Sequence, residues 1–279
     1  MKPDDAQLMR GGARPVRVHR LRHGQASMAD DWVADEVPVA LEFNGISHVV
    51  MLATPLDLAD FALGFALTEG LLTSPRELYD LEEVAGEQGV TLKLEVASAA
   101  FARLKDRRRT LAGRTGCGLC GTDSLSQVMR PMPALPARAQ ADVIAPSAVA
   151  RATEELAALQ TLNRATGAVH AAAWCHRDGE VRLLREDVGR HNALDKLVGA
   201  LMGDAALRRE AAAGFVAVTS RASFEMVQKT LCLGAPLLAA VSAPTALAVQ
   251  VADGAGLTLV GFARRGDLVA YTHPDRLAS

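Results

Sequence analysis

The chain has 279 residues, of which 49% are hydrophobic and 22% are charged, so it belongs with folded globular proteins and not with disordered chains. At about 150 residues per domain, this length predicts one large domain or two modest ones. Thirty Lys and Arg residues against 32 Asp and Glu residues give a net charge of −2, which excludes a global positive field that would attract nucleic acid or an acidic membrane.

The amino-terminal segment, residues 1–30, mixes polar and apolar residues without a sustained period, and we interpret it as an N-terminal arm. Its start contains no apolar run like that of a signal peptide. No stretch of the chain reaches the roughly 18 apolar residues that cross a bilayer. We therefore expect a cytoplasmic protein with no membrane partner.

Residues 31–130 are predicted to form an α+β lobe that carries a cysteine loop. Two runs of strand-forming residues, 37–43 and 46–53, flank Asn44 and Gly45. Asn-Gly readily supplies the positive φ angles of a tight turn, so the pattern predicts a β-hairpin.

A buried helix is predicted after this hairpin. Thr54, Pro55 and Asp57 resemble a helix cap with proline in the first turn, and apolar residues follow at helical spacing up to Gly70. Residues 91–96 then alternate like a half-buried strand.

The second half of the chain follows a different pattern. Residues 131–146 contain four prolines and are predicted to connect two lobes. From residue 147 to 279, strands alternate with helices, which predicts a layered α/β lobe with a largely parallel sheet. The predicted strands are 168–174, 181–186, 214–220, 236–242 and 257–263, and the predicted helices are 147–162, with Ser147 as its cap, 190–202, 225–233 and 245–253.

The sharpest local pattern is RTGCGLCG, residues 114–121, in which three glycines flank and separate Cys117 and Cys120. Glycine leaves both thiols sterically open, and six Lys or Arg residues between positions 103 and 114 favour the thiolate over the thiol. Four cysteines are too few for a disulfide scaffold. The loop therefore suits a nucleophilic or sulfur-carrying cysteine.

Two other interpretations of this loop stay open. A structural zinc site would need two further ligands, for which Cys175, His176 and Cys232 are the candidates, but Cys232 lies in an apolar helical run where a buried structural thiol is favoured. A thioredoxin-like redox pair would be expected between an early strand and a helix. The neighbouring basic run is itself compatible with an ordinary solvated helix face.

Titratable residues are concentrated at a strand-to-helix junction, residues 186–196. The carboxyl end of a strand is a favoured ligand position in open α/β sheets. If a helix begins near Asp187, then Asp187, His191 and Asp195 share one face, where they could transfer protons or contact a cofactor. The alternative is a capped helix start with ordinary ion pairs.

A second junction, residues 219–223, ends one strand and opens the next helix. Its hydroxyls and amides, including Ser220, could hold an anion. The alternative is a plain helix cap by Ser223.

A turn near the end of the chain combines two arginines with a glycine. It can be a simple hairpin, or it can hold a phosphate through its Arg side chains and glycine-freed amides. The residues of this turn are Phe262, Ala263, Arg264, Arg265, Gly266 and Asp267.

Several segments together resemble the FdhD family, the sulfur carrier proteins required for formate dehydrogenase activity. The resemblance runs from about Glu36 to Leu277. It is carried in order by FALGFALTEG, LAGRTGCGLCG, EDVGRHNALDKL, TSRASFEMVQK, LTLVGF and YTHPDRL.

The resemblance implies a persulfide carrier. Members of this family receive sulfur from a cysteine desulfurase on the first loop cysteine, here Cys117, with Cys120 assisting. They pass it to the bis(molybdopterin guanine dinucleotide) molybdenum cofactor before that cofactor enters formate dehydrogenase. The resemblance also implies that residues 262–267 bind the cofactor, for which GDP is an analogue. It implies that the larger lobe has a cytidine deaminase-like fold and that the protein is a homodimer. We expect no catalytic metal of its own.

A function of another class stays open beside it. The chain could be a zinc-stabilised, non-catalytic chaperone or binding module for an apo-oxidoreductase. Because the net charge is −2, we expect no nucleic-acid partner for either function.

Overall fold

A computed structural model describes residues 11–111, 134–135 and 143–277 of the chain. Cys117 and Cys120, and most of the predicted proline-rich connection, lie outside the described residues. Within those residues, every helix is too short or too polar to cross a membrane.

The described residues before the cysteine loop form a two-stranded ribbon, a four-stranded sheet and two helices. Their bounds are β1 Ala13–Arg22, β2 Gln25–Ala34, β3 Val37–Phe43, β4 Ile46–Ala53, α1 Leu58–Thr68, β5 Leu78–Gly86, β6 Gly89–Val96 and α2 Ser98–Leu111. The antiparallel ribbon of β1 and β2 covers much of the predicted arm, which thus has regular structure.

The predicted hairpin is confirmed as β3 and β4. Asn44 and Gly45 form its turn with φ angles of 46° and 78°, as a tight hairpin turn requires. The Asn44 side chain also donates to the carbonyl of Val96 and accepts from its N–H, so it joins the turn to the end of β6. The sheet order is β4-β3-β6-β5, and β3 and β6 are parallel.

The predicted helix after the hairpin is confirmed as α1, but its predicted cap is wrong. The helix begins at Leu58, and the preceding Asp57 has a φ of 53° and makes no side-chain capping bond. Thr54 is fully buried and its hydroxyl accepts from the N–H of Val188, 134 residues away. Thr54 therefore joins two distant segments instead of capping a helix.

The described residues after the loop form a six-stranded sheet with helices. The strands are β7 His170–Cys175, β8 Val181–Asp187, β9 Phe215–Val218, β10 Leu237–Ala240, β11 Thr258–Arg264 and β12 Asp267–Ala270. The helices are α3 Pro146–Leu159, α4 Thr161–Thr166, α5 Arg190–Gly203, α6 Ala205–Glu210, α7 Phe224–Cys232 and α8 Ala246–Ala255.

This sheet is mixed, so the prediction of a largely parallel sheet is wrong. Its order is β12-β11-β10-β9-β7-β8, and only β9, β10 and β11 form parallel pairs. The connections from β7 to β8 and from β11 to β12 are short. A short connection can only make an antiparallel hairpin, because a parallel pair needs a crossover of a dozen or more residues.

The helix predicted from Ser147 begins one residue earlier, at Pro146, and its cap position is Ala145, which has no capping side chain. Proline suits the first helical turn because its missing N–H would have no partner there. Ser147 therefore lies inside the first turn.

The two sheets share one hydrophobic core, which includes Leu41 of β3 and Leu238 of β10. Helices α1 and α5 cross inside it at glycines. A Cβ on Gly64 would lie 1.7 Å from the carbonyl oxygen of Asp195, and one on Gly199 would lie 1.8 Å from that of Asp60. The mixed α/β architecture is thereby confirmed, whereas the lobe boundaries and the cytidine deaminase-like fold stay predictions.

Candidate functional site

The segments that follow β8, β9, β10 and β11 meet at one edge of the six-stranded sheet. β8 runs antiparallel to β7 and β7 antiparallel to β9, so β8 points the same way as the three parallel strands. The carboxyl ends of strands that point the same way lie at one edge, which is the favoured ligand position in such sheets. We call it the strand-end edge.

Backbone hydrogen bonds join these segments in a row. The N–H of Thr245 donates to the carbonyl of Ala222 at 3.0 Å, and the N–H of Phe262 donates to the carbonyl of Ser242 at 3.3 Å. The segments after β9 and β10 and the end of β11 therefore form a continuous surface, and the structure places the predicted turn at one end of it.

Phe262 is held in a strained, exposed position at this edge. Its φ is 53°, in the left-handed region that residues other than glycine rarely adopt, and it lies where the pairing of β11 with β12 shifts register. Its side chain is 37% exposed, whereas that of Ala263 is 1% exposed. The bulge thus turns an aromatic ring towards solvent.

The rest of the turn supplies positive charge next to this ring. The guanidinium carbon of Arg264 lies 5.9 Å from the Phe262 ring centroid. Arg265 and Gly266 make the turn with φ angles of 54° and 83°. Arg264, Arg265 and Asp267 are all exposed, so their side chains are accessible to a ligand.

Asp187 is a buried structural anchor. Its carboxylate accepts from the N–H groups of Thr54 at 3.0 Å and Gly189 at 2.7 Å, and from the Asn192 side chain at 3.0 Å. Lys196 lies 2.7 Å away in a fully buried ion pair. Every oxygen of Asp187 is therefore used in joining β8 and α5 to the end of β4.

Asp195, within α5, has a similar role. It accepts from the Thr68 hydroxyl at 2.6 Å and from Lys229 at 2.7 and 2.9 Å. Burial by itself would lower the pKa of Lys229, but the carboxylates of Asp195 and Glu69 have the larger combined effect and raise this pKa. The common face predicted for Asp187, His191 and Asp195 is wrong for Asp187, because α5 begins only at Arg190.

His191 does reach the strand-end edge, where it meets Glu225 of α7. The two side chains are 3.7 Å apart, between Nε2 and Oε2, and the Ser223 hydroxyl donates to the same carboxylate at 2.6 Å. His191 and Ser223 lower the pKa of Glu225 to about 2, against the effect of burial. Glu225 is therefore ionised at neutral pH.

The second predicted junction presents less to a ligand than expected. Ser220 is buried and its hydroxyl donates to the carbonyl of Arg221. Ser223 makes no side-chain bond to the helix backbone and binds Glu225 instead. The hydroxyl of Ser220 is thus already used.

Two thiols lie within the described residues, those of Cys175 and Cys232. Cys175 is fully buried at the end of β7, and burial, with a smaller effect of Glu155, raises its pKa far above the ordinary value. Cys232 is half-buried at the end of α7. Across the described ranges no three His, Cys, Asp or Glu side chains converge as metal ligands.

The described part of the basic run is engaged within its own lobe. Arg103 donates to Glu77 at 2.7 Å and to the carbonyl of Leu71, and the Lys105 ammonium lies 4.3 Å from the centroid of the Phe101 ring. The side chains of Arg107, Arg108 and Arg109 lie outside the described residues.

Sequence reasoning did not identify His170, Glu225 or Lys229. His170 begins a strand and Glu225 lies in the first turn of a helix, so each has an ordinary sequence context. Only the packing of segments distant in sequence brings each of them to its neighbours: His170 to Arg190 and His191, and Glu225 to His191. Lys229 had one available signal, since a lysine is unusual on an apolar helix face.

The chain is similar to known proteins over nearly its whole length. A family model described as the FdhD/NarQ family matches residues 34–278. A protein of Variovorax paradoxus (strain S110) named sulfur carrier protein FdhD is 62% identical over 277 residues, which are 99% of this chain and 98% of the relative. One of the same name from Cupriavidus necator is 58% identical over 261 residues, which are 93% and 88% of the two chains.

A solved structure gives the same overall fold. The crystal structure of a protein from Desulfotalea psychrophila, described as a formate dehydrogenase accessory protein, matches with a TM-score of 0.73. The match covers 96% of this chain and 100% of that one at 22% sequence identity, and it shows the fold alone.

Proposed function

The chain belongs to the FdhD/NarQ family, and from that membership we propose that it is a sulfur carrier protein that serves formate dehydrogenase. The observation that carries the proposal is the family match over residues 34–278, which includes both loop cysteines. Relatives above 50% identity that bear the name sulfur carrier protein support it.

Cys117 is the sulfur carrier in this proposal. Its thiolate attacks the outer sulfur of a persulfide on a cysteine desulfurase, the new S–S bond forms on Cys117, and the donor leaves as a thiolate. No oxidant is needed, because the sulfane sulfur already has the required oxidation state. Cys120 can then attack Cys117 and release the carried sulfur as hydrosulfide while a Cys117–Cys120 disulfide forms.

The acceptor is the bis(molybdopterin guanine dinucleotide) molybdenum cofactor, which is the substrate of this sulfurtransferase. We propose that Phe262 stacks on its guanine, that Arg264 and Arg265 bind its phosphates, and that Asp267 accepts from a guanine N–H. The exposure of these side chains and the strained conformation of Phe262 support this role, because backbone strain is concentrated at ligand sites. Ala263 is buried beneath the turn, and Gly266 permits close approach of the backbone.

The same proposal names the partners: a cysteine desulfurase as donor, formate dehydrogenase as recipient, and a second copy of the chain in a homodimer. It places the protein in the cytoplasm, where the reducing environment keeps both loop thiols reduced.

The test is a mass measurement on the intact protein after incubation with a desulfurase and cysteine. We expect an added mass of one sulfur, which a thiol reductant removes and which peptide mapping assigns to Cys117. A loaded sulfur on another cysteine, or stoichiometric zinc that blocks loading, would contradict the proposal.

A further inference from the structure

Three basic side chains meet at the strand-end edge and have no role in the proposed function. Arg190 and His191 begin α5, and His170 begins β7 directly opposite Asp187 in the β7–β8 pair. All three side chains are half-buried. The adjacent strand ends therefore bring three potential cations into one corner of the sheet.

The carboxylates near this corner are already bound elsewhere. Asp187 accepts from Thr54, Gly189 and Asn192 and pairs with Lys196. Glu186 accepts from the N–H groups of Leu162 and Asn163 at the start of α4. Glu225 accepts from the Ser223 hydroxyl and lies 3.7 Å from the Nε2 of His191.

Arg190 carries a buried donor that these carboxylates do not satisfy. Its Nε is inaccessible to solvent and has no hydrogen-bond partner among the described residues. A buried N–H without an acceptor is unfavourable, and a guanidinium binds phosphate oxygens in a bidentate manner. Among the described residues, the corner thus combines an unpaired donor with a guanidinium, that of Arg190, that forms no ion pair.

We propose that Arg190, His170 and His191 bind a phosphate or diphosphate group, and that His170 takes up a proton from solvent when this anion binds. The proposal rests on the proposed function, because it assigns a phosphate-binding part to the same edge that carries the nucleotide-binding turn. Beyond the proposed function, it names residues that bind the phosphate group and predicts that this binding depends on pH.

The direction of the proton follows from the surroundings of His170. Burial first, and then the charges of Arg190 and His191, lower the pKa of His170, so its ring is neutral at neutral pH. An anion beside the ring favours the imidazolium and raises that pKa. Binding therefore takes up a proton at pH values between the pKa of the free ring and the higher pKa of the anion-bound ring, and across this interval the affinity falls as pH rises.

Glu225 separates the roles of the two histidines. Glu225 is ionised, and its Oε2 lies 3.7 Å from the Nε2 of His191, so its carboxylate acts directly on the His191 ring. His191 is thereby held in place, while Arg190 and His170 supply the attraction for the anion.

The experiment uses the full chain and inorganic pyrophosphate, measured by calorimetry in two buffers of different ionisation enthalpy. We expect Arg190→Gln to weaken binding at least tenfold, a loss of about 1.4 kcal/mol. His170→Gln should abolish the proton uptake. His19→Gln, in the exposed ribbon, is the matched control and should change neither. Circular dichroism checks that each variant is folded.

A second measurement observes His170 directly. Ring-proton NMR titrations with and without sulfate, whose own charge is constant near neutral pH, should show a higher pKa for His170 when sulfate is present. An unchanged His170 titration, or pyrophosphate binding that both Arg190→Gln and His170→Gln leave unaltered, overturns the inference. Absence of pyrophosphate binding to the wild-type chain also overturns it.

Comparison of ligands distinguishes a nucleotide from free phosphate. GDP that binds more tightly than pyrophosphate, with Arg190→Gln weakening both, identifies a nucleotide diphosphate as the ligand. Equal affinities identify the free anion. Persulfide loading of Cys117 is measured in the same samples. If loading fails while pyrophosphate still binds, the proposed function is rejected and the anion site stands. If loading succeeds while pyrophosphate does not bind, only the anion site is rejected.

Discussion

Lys229 and Asp195 lie 2.7 Å apart in the core and join α7 to α5, while Thr68 on α1 bonds to both of them. Removing one partner leaves an uncompensated buried charge. We therefore expect Lys229→Met to lower the free energy of unfolding by about 3 to 5 kcal/mol. The double change Asp195→Leu with Lys229→Met should recover most of that loss. Urea unfolding is the measurement.

The exposed Lys93–Glu82 pair provides the control for this prediction. Its side chains are 45% and 62% exposed, and such a pair contributes at most about 1 kcal/mol. A Lys229→Met variant that loses no more stability than Lys93→Met would show that the buried pair is not a major contribution.

Buried contacts between distant segments also explain why only part of the fold was predictable from the sequence. The hairpin β3–β4 and the helix α5 follow from local patterns, because Asn44-Gly45 and the helical apolar period need no distant information. Thr54 could not be interpreted correctly, since its partner Val188 is 134 residues away. A helix-cap pattern and a buried contact between distant segments can have the same local sequence.

The candidate site divides in the same way. The arginines of the 262–267 turn were identifiable from composition, but the exposure of Phe262 depends on a bulge that only strand pairing produces. Asp187 and Asp195 looked functional in sequence because they are titratable. Burial and ion pairing give both a structural role.

Cys117→Ala should abolish sulfur loading and formate dehydrogenase maturation, because in the proposed function the persulfide forms on the Cys117 thiolate. Cys120→Ala should impair transfer less completely. The control is Cys175→Ala combined with Cys232→Ala, which should lose some stability but still load sulfur on Cys117. Intact-protein mass spectrometry measures loading, and full loading of the Cys117→Ala variant would reassign the carrier.

Replacing Arg264 and Arg265 together by Ala should weaken GDP binding at least tenfold. Charge-assisted hydrogen bonds contribute about 1.5 to 3 kcal/mol each, and about 1.4 kcal/mol corresponds to a factor of ten. Calorimetric titration gives the dissociation constant. Arg182→Ala, at the amino end of β8 and far from the turn, is the control. A dissociation constant equal to that of the wild type would exclude the turn from the binding site.

Phe262→Gly should separate stability from ligand binding. Glycine accepts the positive φ without strain, so we expect the unfolding free energy to rise by about 1 kcal/mol, while loss of the aromatic ring weakens GDP binding. Phe262→Ala should weaken GDP binding equally without the gain in stability. If both variants bind GDP as tightly as the wild type, the ring does not contact the ligand.

Glu225→Gln should lose stability in a pH-dependent manner. The pKa of Glu225 is lowered from 4.5 to about 2, so its ionised form stabilises the fold above pH 4.5, and that contribution disappears as pH falls towards 2. The stability gap between wild type and Glu225→Gln should therefore be largest at neutral pH and close on acidification. Urea unfolding along this pH range measures it, and a gap independent of pH would contradict the assignment.

The glycine crossing of α1 and α5 has a consequence for biosynthesis. The ribosome completes α1 long before the residues it packs against, since Thr68 bonds to Asp195 and Lys229, which lie 127 and 161 positions further along the chain. Until then the face of α1 that packs against α5 and α7 is uncovered on the nascent polypeptide, where exposed hydrophobic surface promotes aggregation. Chain closure over such distances slows folding. Newly made protein is therefore most exposed to aggregation at this face before α5 and α7 have emerged.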